Sequence, residues 1–162
     1  MVLITDTREA HPLQFEQVVG VSYVRETMTA GDYTARHQVG TVEQLDSTVF
    51  ERKAVGDLFA SFTAGYTREK AKWQRAQTLG LTYILAIEAT CTEILKGHTY
   101  WQGGELREAK KSGIAMIRQL MSLQRRYGLG VWFCSSRREM ALRIQEYFLS
   151  FERMPPPTPG GT

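Results

Sequence analysis

The stretch VFERKAVGDLF, residues 49–59, places four charged side chains where an apolar strand passes into a helix. They are Glu51, Arg52, Lys53 and Asp57. A charge costs several kcal/mol away from water unless it is paired, hydrogen-bonded or bound to a metal. These residues are therefore candidates for a site that performs chemistry.

Residues two apart in a strand point the same way, so Glu51 and Lys53 share one face while Arg52 points to the other. Asp32, at the start of the preceding predicted strand, adds a second carboxylate if the two strands are neighbours. Two carboxylates on rigid strands suit a hard cation, so we predict that Asp32 and Glu51 bind Mg²⁺ or Mn²⁺.

Such an ion makes a bound water more acidic, and that water can attack a phosphodiester. Lys53 would then orient the water or neutralise charge that develops on the phosphate oxygens. The plainer alternative is that Glu-Arg-Lys forms a surface ion pair on an exposed edge strand.

The elements around this site alternate between strand and helix patterns. Together they predict an α/β fold with one domain, residues 1–153, and a central mixed sheet that helices flank on both faces. The predicted strands cover 2–5, 18–26, 32–39, 47–53, 81–89 and 129–134, with 18–26 and 32–39 as a hairpin. The predicted helices cover 54–62, 68–80 and 136–152, with Gly80 as the C-cap of the second. A further long helix is predicted from an apolar face that runs from Leu106 to Tyr127.

Two predictions concern loops and tails. Residues 98–105 read as a glycine-containing loop whose Tyr100 and Trp101 either stack on an unpaired base or anchor the loop. The Pro/Gly-rich residues 154–162 predict a disordered tail.

Composition narrows the class of protein. The 162 residues are 43% hydrophobic and 23% charged, with no apolar run long enough to span a membrane and no signal-peptide pattern. Cys91, Cys134 and three histidines are scattered, which argues against zinc and favours reduced thiols. We expect a cytoplasmic location with the DNA, or a nuclear one in a eukaryote.

The net charge of +3 is unevenly distributed. Residues 1–50 contain three basic and seven acidic side chains, and residues 51–162 contain the other seventeen and ten of the totals of 20 and 17. A basic surface favours a polyanionic partner such as nucleic acid.

The motif resembles the signature of the XPF-type nuclease family. "GDY" at 31–33, "ERK" at 51–53, three further residues and then Asp57 fit Gly-Asp, a spacer, Glu-Arg-Lys, three residues and Asp. The likeness continues in "DTRE" near the start, "FTAGYTREK" after the motif, and "SLQRRYGLGVWFCSSRREMALRIQEYF" near the end. The resemblance implies a restriction-endonuclease-like fold and a metal-dependent DNA endonuclease.

The resemblance also implies roles for individual residues. Asp32 and Glu51 match the metal ligands, Lys53 matches the catalytic lysine, and Arg52 and Asp57 match positions that the family needs. For Arg52 we expect a carboxylate partner such as Asp57, which would brace the strand-to-helix turn.

An acidic pair and a set of basic residues complete the implied site. Asp6 and Glu9 match an early acidic pair near the metal, although Asp6 has an alternative as a turn cap and Glu9 as a solvent-facing residue. Phosphate contacts are expected from the basic residues Arg8, Arg68, Lys70, Lys72 and Arg75. Trp73, which lies among them, is expected in the core.

The resemblance implies branched or flapped DNA as substrate, in repair or recombination, and a homodimer or heterodimer as the assembly. The chain has no room for the helix-hairpin-helix module common in the family, so grip on the duplex is expected from a partner or from the nuclease surface. Tyr147, Phe148 and Phe151 of the last helix either form a dimer surface or belong to the core. Two alternatives stay open: a catalytically inactive DNA-binding subunit that supports a partner nuclease, and a sequence-specific restriction enzyme.

Overall fold

A computed structural model describes residues 1–102 and 104–153, so the predicted tail at 154–162 lies outside the described residues. The strands are β1 Val2–Asp6, β2 Ser22–Glu26, β3 Tyr33–Val39, β4 Val42–Leu45, β5 Thr48–Lys53, β6 Thr82–Ile87, β7 Thr99–Gln102, β8 Glu105–Glu108 and β9 Gly130–Phe133. The helices are α1 Val55–Ser61, α2 Tyr66–Thr78, α3 Cys91–Leu95, α4 Gly113–Tyr127 and α5 Arg137–Arg153. In the described part of the chain, no helix is long and apolar enough to cross a membrane.

A mixed sheet forms the centre of the molecule. Its strand order is β2-β1-β3-β5-β6-β9, with β4 paired to β3, and β7 and β8 form a separate two-stranded sheet. β5, β6 and β9 run parallel, whereas β3 is antiparallel to both β1 and β5. The predicted α/β class with a central mixed sheet is confirmed.

Two hydrophobic clusters cover the two faces of the sheet. One holds Phe59 of α1, Trp73 of α2 and Met116 of α4, and the other holds Ile144 and Phe148 of α5. Helices therefore flank both faces, as predicted. Trp73 is 1% exposed, so its predicted place in the core is confirmed.

The aromatic residues of α5 divide between the two predicted roles. Phe148 is fully buried in the core, and Tyr147 is partly buried with its hydroxyl 2.9 Å from the Thr48 hydroxyl. Phe151 is exposed and its ring lies 4.4 Å from that of His37. Most of this aromatic set therefore belongs to the core.

The predicted hairpin of residues 18–26 with 32–39 is wrong. β1 lies between β2 and β3, pairing in parallel with the first and antiparallel with the second. β1 is apolar and largely buried, so its backbone needs hydrogen-bonding partners along both edges, which it obtains only in the interior of the sheet. The turn-rich residues 27–32 connect two strands that flank a third.

Three further differences lie in short elements. The exposed strand β4 was not predicted. The predicted loop at 98–105 contains β7 and the start of β8, and Leu106 belongs to β8, where its side chain is 59% exposed. The long helix begins instead at Gly113, with the Ser112 side chain accepting a hydrogen bond from the Ala115 N–H as N-cap.

Gly31 allows β3 and β5 to approach each other closely at the site. Its φ is +71°, and an added Cβ would lie 2.9 Å from Val49 Cβ and 3.0 Å from the Phe50 carbonyl oxygen. A side chain at residue 31 would therefore push apart the strands that carry Asp32 and Glu51.

Gly31→Ala should lower the free energy of unfolding by about 2–4 kcal/mol, because a left-handed backbone and a steric clash add together. Gly40→Ala is the matched control, since Gly40 has a φ of +62° with nothing within 4 Å of an added Cβ. It should cost only about 1 kcal/mol. Urea unfolding of both variants measures the difference, and equal losses would contradict a steric role for Gly31.

Candidate active site

The strand register places Asp32 opposite Glu51. Tyr33 pairs with Phe50 across the antiparallel β3 and β5. Asp32, which precedes Tyr33, therefore faces Glu51, which follows Phe50. The Asp32 N–H donates to the Phe50 carbonyl at 2.7 Å, and the Arg52 N–H donates to Asp32 Oδ2 at 2.8 Å. Both carboxylates line one cavity of about 450 Å³.

Glu51 is buried and hydrogen-bonded at both oxygens. Its Oε1 accepts from Lys72 Nζ at 2.7 Å and from Lys53 Nζ at 3.3 Å, and its Oε2 accepts from the Tyr83 hydroxyl at 2.8 Å. The predicted side-by-side placement of Glu51 and Lys53 on one strand face is confirmed. An exposed surface ion pair is excluded, because both side chains are buried.

Glu69 of α2 completes this charge cluster and was missed by sequence reasoning. It is 0% exposed and forms ion pairs with Lys53 at 3.3 Å and Lys72 at 3.6 Å. Its spacing of four residues before Trp73 and seven before Ala76 marks the buried stripe of α2, and this was the available signal. The two carboxylates, Glu51 and Glu69, thus share two ammonium groups.

The two facing carboxyls differ in acidity. Burial and the negative charge of Glu51 raise the pKa of Asp32 to about 7, against the hydrogen bond from the Arg52 N–H. Burial alone would also raise the pKa of Glu51, but the charges of Lys72 and Lys53 outweigh it and leave that pKa below its ordinary value. Asp32 is therefore the carboxyl that gains most from a bound cation.

Asp6 supports the edge of the cavity. Its carboxylate accepts from Arg8 Nε and from an Arg8 terminal nitrogen, both at 2.8 Å, and from the N–H groups of Arg8 and Met28 at 2.7 and 2.8 Å. The hydrogen bonds from the Arg8 side chain are the main cause that lowers the pKa of Asp6 to about 2. Of the two roles considered, the contacts show Asp6 capping a turn, and they hold Arg8 at the cavity.

Arg52 binds carboxylates other than the expected Asp57. Its guanidinium makes a two-point contact with Glu88 at 2.7 and 3.1 Å and reaches Glu9 at 3.3 Å. The expected Arg52–Asp57 pair is wrong, because Arg52 points to the sheet face away from α1, where Glu88 directly follows strand β6. Glu9 therefore faces Arg52 rather than solvent.

Asp57 lies in the first turn of α1 and is exposed. It makes no hydrogen bond or ion pair with any residue that the structure describes. It lines a second part of the cleft, of about 520 Å³, together with Lys53, Arg68 and the Asp32–Glu51 pair. The structure thus brings all the predicted acidic residues to one region, with Glu9 in this part of the cleft and Asp6 in the first cavity.

Three basic residues of α2 face the cavity. Arg68, Lys72 and Arg75 are four and three residues apart, a spacing that aligns them on one side of a helix, and all three line the cavity with Arg8. Lys70 does not line it, because two residues correspond to more than half a turn. The structure brings four of the five predicted phosphate-binding residues to the site.

The donor set suits a hydrated divalent cation. Asp32 Oδ1 accepts no hydrogen bond from the described residues and is available as a ligand. Within residues 1–102 and 104–153, no group of three His, Cys, Asp or Glu side chains could hold a metal. Two carboxylates plus waters match Mg²⁺, which keeps several of its own waters. An ion at Glu51 Oε1 would displace the ammonium of Lys72.

The raised pKa of Asp32 predicts a pH-dependent stability. Between the ordinary value of 3.8 and the folded value of about 7, the native state keeps a proton that the unfolded chain has released. Without added metal, the contribution of Asp32 to stability should therefore fall as pH rises through this window, by at most about 1.4 kcal/mol per pH unit. Asp32→Asn should remove this slope, and the exposed Asp57→Asn should keep it. Urea unfolding at pH values from 4.5 to 7.5 measures the slope of stability against pH. Equal slopes in the wild type and Asp32→Asn would contradict the predicted role of Asp32.

Arg52→Lys should destabilise the protein by about 1–3 kcal/mol, because an ammonium group cannot reproduce the two-point contact and leaves buried carboxylates under-paired. Arg138→Lys is the control, since Arg138 pairs with Glu16 at an exposed position and the change there should cost less than about 1 kcal/mol. Thermal unfolding compares the two. Equal stability of both variants would show that the geometry at Arg52 contributes little.

Comparisons with known proteins identify the family of this chain. Residues 5–146 match the family described as the ERCC4 domain, a span that contains every predicted site residue. A search of curated proteins finds no match.

Two solved structures share the fold. Both are described as XPF from Aeropyrum pernix, one of them in complex with DNA, and each has a TM-score of 0.63. Their sequence identities to this chain are 19% for the DNA complex and 20% for the other. The similarity covers 94% of this chain and 66% of each of theirs, so the chain spans about two thirds of their length. Because the match of residues 5–146 covers most of the chain, the protein belongs to the ERCC4 domain family, whose members carry the XPF-type nuclease domain.

Proposed function

We propose that this protein is a metal-dependent DNA endonuclease that hydrolyses phosphodiester bonds. The observation that carries the proposal is the pairing of Asp32 with Glu51 in one cavity, with Lys53 beside Glu51. The family membership and the DNA complex of the XPF structure from Aeropyrum pernix support DNA as the partner.

Each residue would have a definite task. Asp32 Oδ1 and the Glu51 carboxylate would hold Mg²⁺ or Mn²⁺, which supplies an acidified water. Lys53 is held by Glu51 and Glu69, so its ammonium is fixed beside the ion site, where it would neutralise charge on the phosphate oxygens. Lys72 lines the same cavity, and its ammonium would contact a phosphate there.

The rim of the cavity would bind the DNA backbone. Arg8, Arg68 and Arg75 converge there, and arginine matches the two oxygens of a phosphate. Contacts of this kind position a strand without reading its sequence. On the family membership we also propose branched or flapped DNA, handled in repair or recombination, as the substrate class, and a dimer as the working assembly.

Glu51→Gln and Lys53→Ala should each lower Mg²⁺-dependent cleavage on the order of 10³-fold or more, because the first weakens a metal ligand and the second removes the cation beside the ion site. DNA binding should stay within roughly fivefold, since the arginines at the rim hold the backbone. The measurement is cleavage of labelled flap, fork, four-way junction, duplex and single-stranded DNA by purified protein.

Glu43→Gln, at an exposed glutamate of β4 outside the cavity, serves as the control and should cleave like the wild type. Thermal unfolding of Lys53→Ala shows whether the fold survives the loss of the Glu69 partner. Full cleavage by both site variants would refute the proposal.

A catalytically inactive DNA-binding subunit is the second candidate. It is favoured by one observation: the Glu51 oxygens are already satisfied by Lys72, Lys53 and Tyr83 without a metal. Calorimetric titration with Mn²⁺ separates the two candidates, because a nuclease should bind the ion in a manner that Asp32→Asn abolishes. Absence of Mn²⁺ binding by the wild type would favour the inactive subunit.

A further inference from the structure

A separate groove adjoins the cleft on the other side of α1. It lies between α1 and the β7–β8 hairpin, measures about 620 Å³, and shares Ala60 and Ala64 with the part of the cleft that contains Asp57. We call it the hairpin groove and define it by the side chains that line it: Gly56, Phe59, Ala60, His98, Tyr100 and Lys110. The cleft and the hairpin groove therefore meet at the C-terminal end of α1.

The hairpin groove contains a ladder of nearly parallel aromatic rings. Phe59 and His98 stack with centroids 5.5 Å apart and planes at 28°, and His98 and Tyr100 lie 6.3 Å apart at 19°. Phe59 is buried in the core, whereas Tyr100 is 38% exposed. The ladder thus runs from the core outwards and ends in an open phenol ring.

Gly56 lets α1 approach this ladder. An added Cβ at residue 56 would lie 3.4 Å from His98 Nε2, the distance of an ordinary van der Waals contact, so α1 lies directly beside the imidazole. The base of the hairpin is held by the Ala109 N–H, which donates to the His98 carbonyl at 2.7 Å. The rings are therefore braced by the backbone on both sides.

We propose that the hairpin groove binds an unpaired nucleobase of the DNA strand that leaves the cleft, with the base stacked on Tyr100. The inference rests on the proposed function, because it takes the cleft as the place where the phosphodiester lies. Flat rings that expose a face suit any base, since every base has a π-face. Lys110 supplies a cation for the adjoining phosphate, and it has no ion-pair partner among the described residues.

The surface fits a single base better than a protein partner. Among the aromatic side chains of the hairpin groove only Tyr100 is substantially exposed, because Phe59 is buried and His98 is partly buried. A stable protein interface buries on the order of 800 Å² on each side, far more than one phenol ring offers. One planar, uncharged ring stacked on Tyr100, with its anionic phosphate beside Lys110, matches the exposed ring and the cation of the groove.

The test uses full-length protein in EDTA with a duplex that bears a single-stranded overhang. 2-Aminopurine is placed at successive overhang positions, and its emission falls when its ring stacks on an aromatic side chain. In the wild type, emission should fall at one or two positions near the junction. Tyr100→Ala should restore that emission and weaken overhang binding at least about fivefold. Tyr100→Phe, which keeps the ring, should behave like the wild type.

Two controls isolate the groove. Phe151→Ala removes an aromatic ring of similar exposure, 47%, from the opposite face of the sheet. It should change neither the 2-aminopurine emission nor the affinity for the overhang. Blunt duplex offers no unpaired base, so the difference in affinity between Tyr100→Ala and wild type should disappear on it.

The outcomes separate this inference from the proposed function. If the wild type cleaves DNA with Mg²⁺ but Tyr100→Ala retains both the low emission and the affinity, the base site is refuted and the nuclease stands. If the 2-aminopurine emission depends on Tyr100 but the wild type does not cleave DNA with Mg²⁺, the base site stands and the proposed nuclease activity is refuted. If the wild type binds no DNA, both fall. If Tyr100→Ala alters only the oligomeric mass in solution, the groove contacts a second copy and the base site is refuted.

Discussion

The buried ion cluster beneath α2 is the interaction on which the rest of the site depends. Glu51 and Lys53 occupy the core-facing side of a central strand, where a lone charge would be strongly unfavourable. Lys72 and Glu69 enter from α2 and complete an alternating set of two acids and two bases. Because each charge is compensated by another element, the cluster fixes where α2 lies on the sheet. The same placement turns the basic side of α2 towards the cavity.

A second constraint is the short distance between β3 and β5. The glycine at residue 31 permits this approach, and the antiparallel register then sets Asp32 against Glu51. The two carboxyls respond differently, since Glu51 is neutralised by lysines and Asp32 is not. This asymmetry leaves Asp32 as the less compensated carboxyl of the cavity, so a bound cation would favour its charged form.

The two faces of β5 carry different groups of charged contacts. On one face Glu51 and Lys53 meet α2, and on the other Arg52 ties the end of β6 to the first loop through Glu88 and Glu9. The α1 helix follows directly from β5 and separates the cleft from the hairpin groove, so both surfaces are positioned by one strand-to-helix junction. A shift of that junction would move the charged cleft and the aromatic ladder together.

The sequence by itself determined the class of fold, the shared face of Glu51 and Lys53, the core position of Trp73 and the basic character of α2, because residue types and the strand and helix periods express these locally. It did not determine that β1 inserts between β2 and β3, since a short connection resembles a hairpin whether or not the strands pair. The partners of Arg52, the ion pair of Glu69 with Lys53 and the ring ladder of Phe59, His98 and Tyr100 join residues far apart in the chain. Only tertiary packing decided these, because such contacts arise from how elements cross and leave no periodic trace in any one segment.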